Sequence, residues 1–469
     1  MRARSLLIGL FGLVPALCFA SGLDGSHLNL WWSVPFFGLL LSIALCPLLT
    51  PALWHHHFGK IVLGWTLTFL LPCAAIFGLG TAASGAAHAC IAEYLPFIIL
   101  VTALFVVAGG IYIKGNLHGT PVLNAVLLAL GTLLASVMGT TGASMLMIRP
   151  VIRANDNRKH VKHIVVFFIF LVSNAGGSLT PLGDPPLFLG FLKGVDFFWT
   201  MRNIFPETLF LCVALLAIFY LLDRYYYHNR EDELPPEQDP TPDSPIRFEG
   251  TVNFVLLAAI VGLVLLSGFW KTGVTLSIFG VDVELQNLVR DALLLAVIAI
   301  SLAITPDCAR KGNDFSWGPI QEVGKLFAGI FITIIPVVAM LRAGESGAFA
   351  VVIGVVTDSS GQPINAMYFW ATGILSSFLD NAPTYLVFFN TAGGDPATLM
   401  TSLAATLAAI SCGSVFMGAN SYIGNAPNMM VKAIAEERGI RMPTFFGYMG
   451  WSCMVLIPLF ILMTFIFFR

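Results

Sequence analysis

Apolar stretches long enough to cross a lipid bilayer, about 20 residues per helix, recur along this 469-residue chain. They fall near 31–50, 60–82, 90–111, 164–191, 204–222, 251–268, 289–304, 326–341, 399–434 and 444–467. Inside a bilayer the backbone must satisfy its own polar groups, and a helix does so within one segment. The pattern therefore dictates an all-α polytopic membrane protein with about 10–11 transmembrane helices. Composition agrees: 57% of residues are hydrophobic and 11% charged, against roughly 25% charged in soluble domains. The lipid bilayer is the first partner this surface demands. Net charge is -2, and no basic stripe points to nucleic acid.

Four segments break the apolar pattern near their centres. The stretches 164–191 and 399–434 are interrupted by Gly, Pro, Asn and Asp, and 121–148 and 366–390 are also broken near their centres. The loop after 121–148 carries Arg149, Arg153, Arg158, Lys159 and Lys162, and the loop before it carries Lys114. Cytoplasmic loops collect Lys and Arg, so both ends of 121–148 belong on one side. A re-entrant hairpin satisfies this, with its tip at Gly139-Thr140-Thr141-Gly142. The segment 366–390 then enters from the opposite face, with its tip at Asp380-Asn381-Ala382-Pro383. Past Ser21, this topology leaves only Lys193, Arg202, Lys271, Arg290, Arg342 and Arg469 outside. The C-terminus is also expected outside.

The organisation follows from these breaks. Residues 1–20 read as a signal peptide or N-terminal anchor: Arg2 and Arg4 precede an apolar run, and Cys18-Phe19-Ala20 resembles a cleavage site. Residues 21–222 hold the first repeat, with hairpin 121–148 and broken helix 164–191. The Pro- and acid-rich stretch 223–250 reads as a flexible cytoplasmic connector. Residues 251–469 hold the second repeat, with hairpin 366–390 and broken helix 399–434. The eight cysteines lie mostly in apolar runs and read as small hydrophobes. His55-His56-His57 read as a solvated loop before Lys60, and Glu93 as a residue near a span end.

The two halves repeat each other. Gly183-Asp184-Pro185-Pro186 matches Gly424-Asn425-Ala426-Pro427, each inside a broken span. From Thr140 to Gly183 is 43 residues, and from Asp380 to Gly424 is 44. Aligning the tips pairs Ser136 with Ser376 and Ser144 with Thr384. Copies that begin on opposite sides of a membrane form an inverted repeat, and paired interrupted segments mark a transporter's central site.

These segments resemble the ion transporter superfamily. The carrying stretches are Ser173–Gly190 (SNAGGSLTPLGDPPLFLG), Ser376–Phe388 (SSFLDNAPTYLVF) and Gly418–Gly439 (GANSYIGNAPNMMVKAIAEERG). They are similar to the broken-helix and hairpin segments of NhaD-type sodium/proton antiporters, arsenite permeases, the P permeases and citrate-transporter-like proteins. The resemblance implies a homodimer with a scaffold part and a moving transport part, multi-pass in the bacterial inner membrane. The first hairpin tip lacks the Asn found at many tips of carboxylate-transporting relatives.

An acid at mid-membrane depth is a functional candidate by default, so Asp184 and Asp380 lead; the plain alternative is a helix cap. Asn381, Asn420 and Asn425 can cap broken ends or ligate a cation. Thr140, Thr141, Asn174, Ser178, Thr180 and Ser421 are further candidates, although a membrane hydroxyl commonly bonds its own backbone. Two carboxylates and no Lys or Arg in any break favour sodium and protons as coupling ions, with sodium on Asp184 and Asp380. The leading expectation is a sodium/proton antiporter using alternating access. The alternatives are a sodium- or proton-coupled citrate or dicarboxylate symporter and an arsenite permease. No nucleophile–base pair, His cluster at depth or phosphate loop suggests an enzyme, and no cofactor is expected. On this reading Asp184→Asn and Asp380→Asn each abolish coupled transport.

Overall fold

The structure, a computed structural model, describes residues 23–229 and 244–469. The signal or anchor assigned to 1–20 and the middle of the 223–250 connector lie outside the described residues.

The chain is helical along most of its described length. In order come α1 (Val34–Leu49), α2 (Pro51–Phe77), α3 (Leu79–Ala108), α4 (Pro121–Met138), α5 (Thr140–Arg153), α6 (Lys162–Leu171), α7 (Pro185–Leu192) and α8 (Phe205–Asn229). The second half holds α9 (Val252–Phe269), α10 (Leu285–Ile304), α11 (Gly318–Thr333), α12 (Ile335–Arg342), α13 (Asn365–Phe378), α14 (Asn381–Thr391), α15 (Ala404–Met417), α16 (Ala426–Glu437) and α17 (Phe445–Phe467). Among the described residues, 8 helices are long and apolar enough to cross a membrane, and α11 with α12, bent by 41°, makes a ninth. The protein is an all-α polytopic membrane protein.

The interrupted segments break where the sequence carries Gly, Asp or Asn. Gly139, at φ +82, separates α4 from α5, a backbone conformation that a Cβ disfavours. The two helices pack against each other. Leu379 and Asp380 leave the helical conformation between α13 and α14, which also pack together. After α6 come a 3-10 turn at Ala175–Ser178 and then α7, which opens with Pro185 and Pro186. After α15 come a 3-10 turn at Gly418–Asn420 and then α16, with Pro427 in its first turn. Proline suits that position because its missing N–H has no helical partner there.

These broken helices form the centre of the molecule. Every residue from Ile164 to Val172 is buried. The unbroken helices instead turn apolar side chains outward, such as Val255 and Leu293, which suits lipid.

Three details differ from the sequence reading. Positions 55–57 are helical, because α2 begins already at Pro51. Glu93 sits inside the continuous α3, in a π-helical turn at Ala89–Tyr94; Pro96, in the next turn, lacks the N–H that would bond back into it. The connector is ordered at both ends, since residues 223–229 finish α8 and Ser244–Glu249 form a strand, β2. That strand pairs antiparallel with β1, Tyr112–Asn116. A second ribbon joins β3 (Thr275–Ile278) to β4 (Val281–Glu284).

Asp223, expected to begin a flexible stretch, is instead fully buried. It accepts hydrogen bonds from Arg158 at 2.6 Å, His163 at 2.8 Å and Asn124 at 3.0 Å. Asn155 exchanges amide hydrogen bonds with Asn124 at 2.8 Å. A buried ion pair persists only when its remaining hydrogen-bonding groups are met, and the two asparagines meet them. The cluster ties the start of α4 to the end of α8, so the first hairpin is anchored at its base.

The β1–β2 ribbon joins two segments that the charge pattern assigns to one side, 112–116 and 244–249. A cysteine placed at Ser244 and one placed at Gly361, both exposed, are expected to react with a membrane-impermeant thiol reagent from opposite sides. Labelling of both from the same side would refute that sidedness.

Candidate functional site

Four helices begin at one point. The starts of α5, α7, α14 and α16 carry Thr140, Asp184, Asn381 and Asn425, and these four side chains meet. Asp184 Oδ1 accepts from Thr140 Oγ1 at 2.8 Å and from Asn425 Nδ2 at 3.3 Å. Asn381 Nδ2 donates to Asp184 Oδ2. Asp184 is 2% exposed. It stands at the N-cap position of α7, yet its side chain makes no capping bond there. Its carboxylate is held by donors from both repeats instead.

Asp380 is different. Its Oδ1 accepts from the backbone N–H of Ala382 at 3.1 Å, which caps α14. The two acids paired by the sequence reading therefore have different local roles. One caps a helix; the other is the hub of a side-chain cluster.

The hydrogen bonds also set the register of the repeat. Thr180 Oγ1 donates to Ser136 O at 2.5 Å, and Ser421 Oγ donates to Ser377 O; both pairs are 44 residues apart. Ser136 Oγ donates to Gly176 O and Ser377 Oγ to Met417 O, both 40 residues apart. The N–H of Leu182 bonds to Thr180 Oγ1 and that of Ile423 to Ser421 Oγ, each at 3.2 Å. Ser136 therefore corresponds to Ser377, not Ser376, and Thr140 to Asn381, not Asp380. The unequal offsets of the tip alignment disappear. In this register Asp184 and Asn425 are equivalent, 241 residues apart, and they bond to each other. The first tip has a hydroxyl where the second has an amide, and the first break has an acid where the second has an amide.

The remaining candidates lie around this hub. Asn174 accepts from Asn425 at 3.3 Å and donates to Asn428 Oδ1 at 2.8 Å. Asn420 Nδ2 donates to Ser377 Oγ at 2.9 Å. Thr180 and Ser421 tie their breaks to the hairpins, as above. Ser178 turns away to Thr208 Oγ1, at 2.7 Å, on α8. Thr141 is half-buried and takes no part in the hydrogen bonds to Asp184. Among these candidate residues, two buried oxygens have no hydrogen-bond partner, Asn381 Oδ1 and Asn420 Oδ1. A buried polar atom without a partner calls for an unseen ligand, water or ion.

Asn428 and Ser377 escaped the sequence reading. Asn428 donates to the carbonyls of Gly418 and Ser421, each at 2.9 Å, closing the second break. It lies three residues after Asn425, on the same helix face, and that spacing was the available signal. Ser377 was hidden by the one-residue error in register.

A match to known proteins extends over nearly the whole chain. A family described as "Putative citrate transport" matches residues 25–468. The chain belongs to that family. As a member of that family it is a transporter. No curated protein matches the chain.

Proposed function

We propose that the protein is a cation-coupled carrier of a citrate-like carboxylate, working by alternating access around Asp184. The observation that carries this reading is the meeting of four helix starts in one buried cluster. Each helix N-terminus carries about half a positive charge from its aligned peptide dipoles, so four together suit an anion without any Lys or Arg. The amides of Asn381 and Asn425 add donors. The family description points to the same class of solute.

A coupling cation has its own ligands in this reading. Asp184 supplies negative charge, and the unpartnered Asn381 Oδ1 is an oxygen beside it. Sodium takes oxygen ligands of this kind, and a proton competes for the same carboxylate. Binding the cation reduces the repulsion between Asp184 and an incoming carboxylate, which links the two.

A second reading, sodium/proton antiport, is favoured by one observation. Asp184, the acid at the hub, has only hydroxyl and amide partners, so sodium and protons alone could exchange on it. Everted vesicles with a pH-sensitive dye, challenged in turn with sodium, lithium, potassium, citrate and succinate, separate the two. Proton movement or uptake that needs citrate or succinate supports the carboxylate carrier. Proton movement driven by sodium with no carboxylate present overturns it in favour of antiport.

A further inference from the structure

A cavity of about 660 Å³ opens on the face that carries Leu23 and the β3–β4 turn, away from the Asp184 cluster. Its size is that of a small-molecule site. The titratable groups lining it include Asp24, His88, Glu93, Lys193 and Arg342, and Asn390 lies beside them. None of these was a sequence candidate for binding.

The cavity stands at the far ends of the two helices that start at the central site. α7 begins after Asp184 and ends just before Lys193; α14 begins at Asn381 and carries Asn390 in its last turn. These helices pack side by side. Nine residues at 1.5 Å per residue place the cavity roughly 13 Å from the cluster along either helix.

The charges in it are unequal in their engagement. Lys193 Nζ pairs with Glu93 Oε1 at 2.5 Å, so each offsets the other. Asp24 is turned to its own loop: it accepts from the Ser26 N–H and hydroxyl, at 3.0 and 2.7 Å, and lies 3.7 Å from His27. Those Ser26 hydrogen bonds hold the Asp24 carboxyl below the usual carboxylate range. Arg342 is exposed to the cavity, and its Nε donates to Asn390 Oδ1 at 2.9 Å. No carboxylate pairs with it among the described residues. Asn390 thus fixes one edge of the guanidinium and leaves the two Nη groups, the fork that grips carboxylates, for a ligand.

We propose that this cavity is a vestibule site, in which Arg342 takes a carboxylate anion before it passes along α7 and α14 to Asp184. The proposal rests on the reading of the protein as a carboxylate carrier. Arg342 concentrates the anion at the mouth of the path. Asn390 is its positioning residue. The Lys193–Glu93 pair also lines the cavity, where an arriving carboxylate competes with Glu93 for Lys193.

The test is citrate uptake by the full-length protein in proteoliposomes, comparing wild type, Arg342→Gln, Arg342→Lys and Asn390→Asp. Loss of one charge-assisted contact is expected to raise KM for citrate about tenfold in Arg342→Gln, with kcat within about twofold because the central site is intact. Arg342→Lys should recover part of the loss. Asn390→Asp, which sets an acid against Arg342 without removing it, should raise KM to a similar extent. An unchanged KM in Arg342→Gln, with wild type transporting citrate, overturns the vestibule site alone. A fall in kcat with KM unchanged, unrescued by Lys, assigns Arg342 a structural role and also overturns it. Wild-type vesicles that move no carboxylate overturn both this proposal and the reading beneath it.

Discussion

Asp184→Asn is expected to abolish transport while the protein remains folded in the membrane. The substitution keeps the shape of the side chain, so packing around α7 survives. It removes the charge on which Thr140, Asn381 and Asn425 converge. The new amide group must also face at least one of the asparagine donors with a donor of its own. A hydrogen bond to a charged group contributes about 1.5–3 kcal/mol. Losing even one such contact at the step that couples cation to solute lowers the rate roughly tenfold to a hundredfold. Asp184→Glu keeps the charge and misplaces it, so a small residual activity is expected. Asp380→Asn is the informative contrast. Asn caps a helix about as well as Asp, and the Ala382 N–H needs only an acceptor. Its uptake should stay within a few-fold of wild type, unlike the loss that the sequence pairing of the two acids implied. Solute uptake in proteoliposomes, with size-exclusion profiles to confirm folding, reads all three. Wild-type uptake by Asp184→Asn would remove Asp184 from the mechanism.

The second large effect is expected at the glycines of the two breaks. A Cβ on Gly183 would stand 2.2 Å from the carbonyl oxygen of Gly177. One on Gly424 would stand 2.5 Å from that of Gly418 and 2.7 Å from that of Ser376. The obstacles are backbone atoms, so relief requires the break itself to open. Overpacking of this kind costs about 1–3 kcal/mol and sometimes more. The residues displaced are the neighbours Asp184 and Asn425. A misplacement of about 1 Å in a preorganised site can cost about a hundredfold. Gly183→Ala and Gly424→Ala are therefore expected to lose most of their uptake and to unfold at lower temperature. Gly262→Ala, where a Cβ meets nothing within 4 Å, serves as the control and should behave as wild type. Normal uptake by both break variants would show that the close approach of the two turns is dispensable.

Much of this was legible because lipid is a severe solvent. A polar residue in an apolar run stands out, and Asp184, Asn381 and Asn425 stood out for that reason. Thr140 was found only as part of a hairpin tip, since one hydroxyl in a membrane helix carries no signal by itself. Charge patterns were less informative about boundaries. His55–His57 are helical although polar, because Pro51 starts a helix that simply continues through them. Asp223 read as the first residue of an acidic connector, yet its partners Arg158, His163 and Asn124 come from three other segments. No local pattern could have assembled them.

By itself, then, the sequence determined the class of fold and the segments whose helices are interrupted, because hydrophobicity and helix-breaking residues act locally. The tertiary structure decided the rest. It shifted the repeat by one residue, since only hydrogen bonds between hairpin and break distinguish Ser377 from its neighbour Ser376. It also separated two acids that sequence could not tell apart. A carboxylate's role depends on which donors reach it, and those that reach Asp184 come from α5, α14 and α16, as far as 241 residues away along the chain.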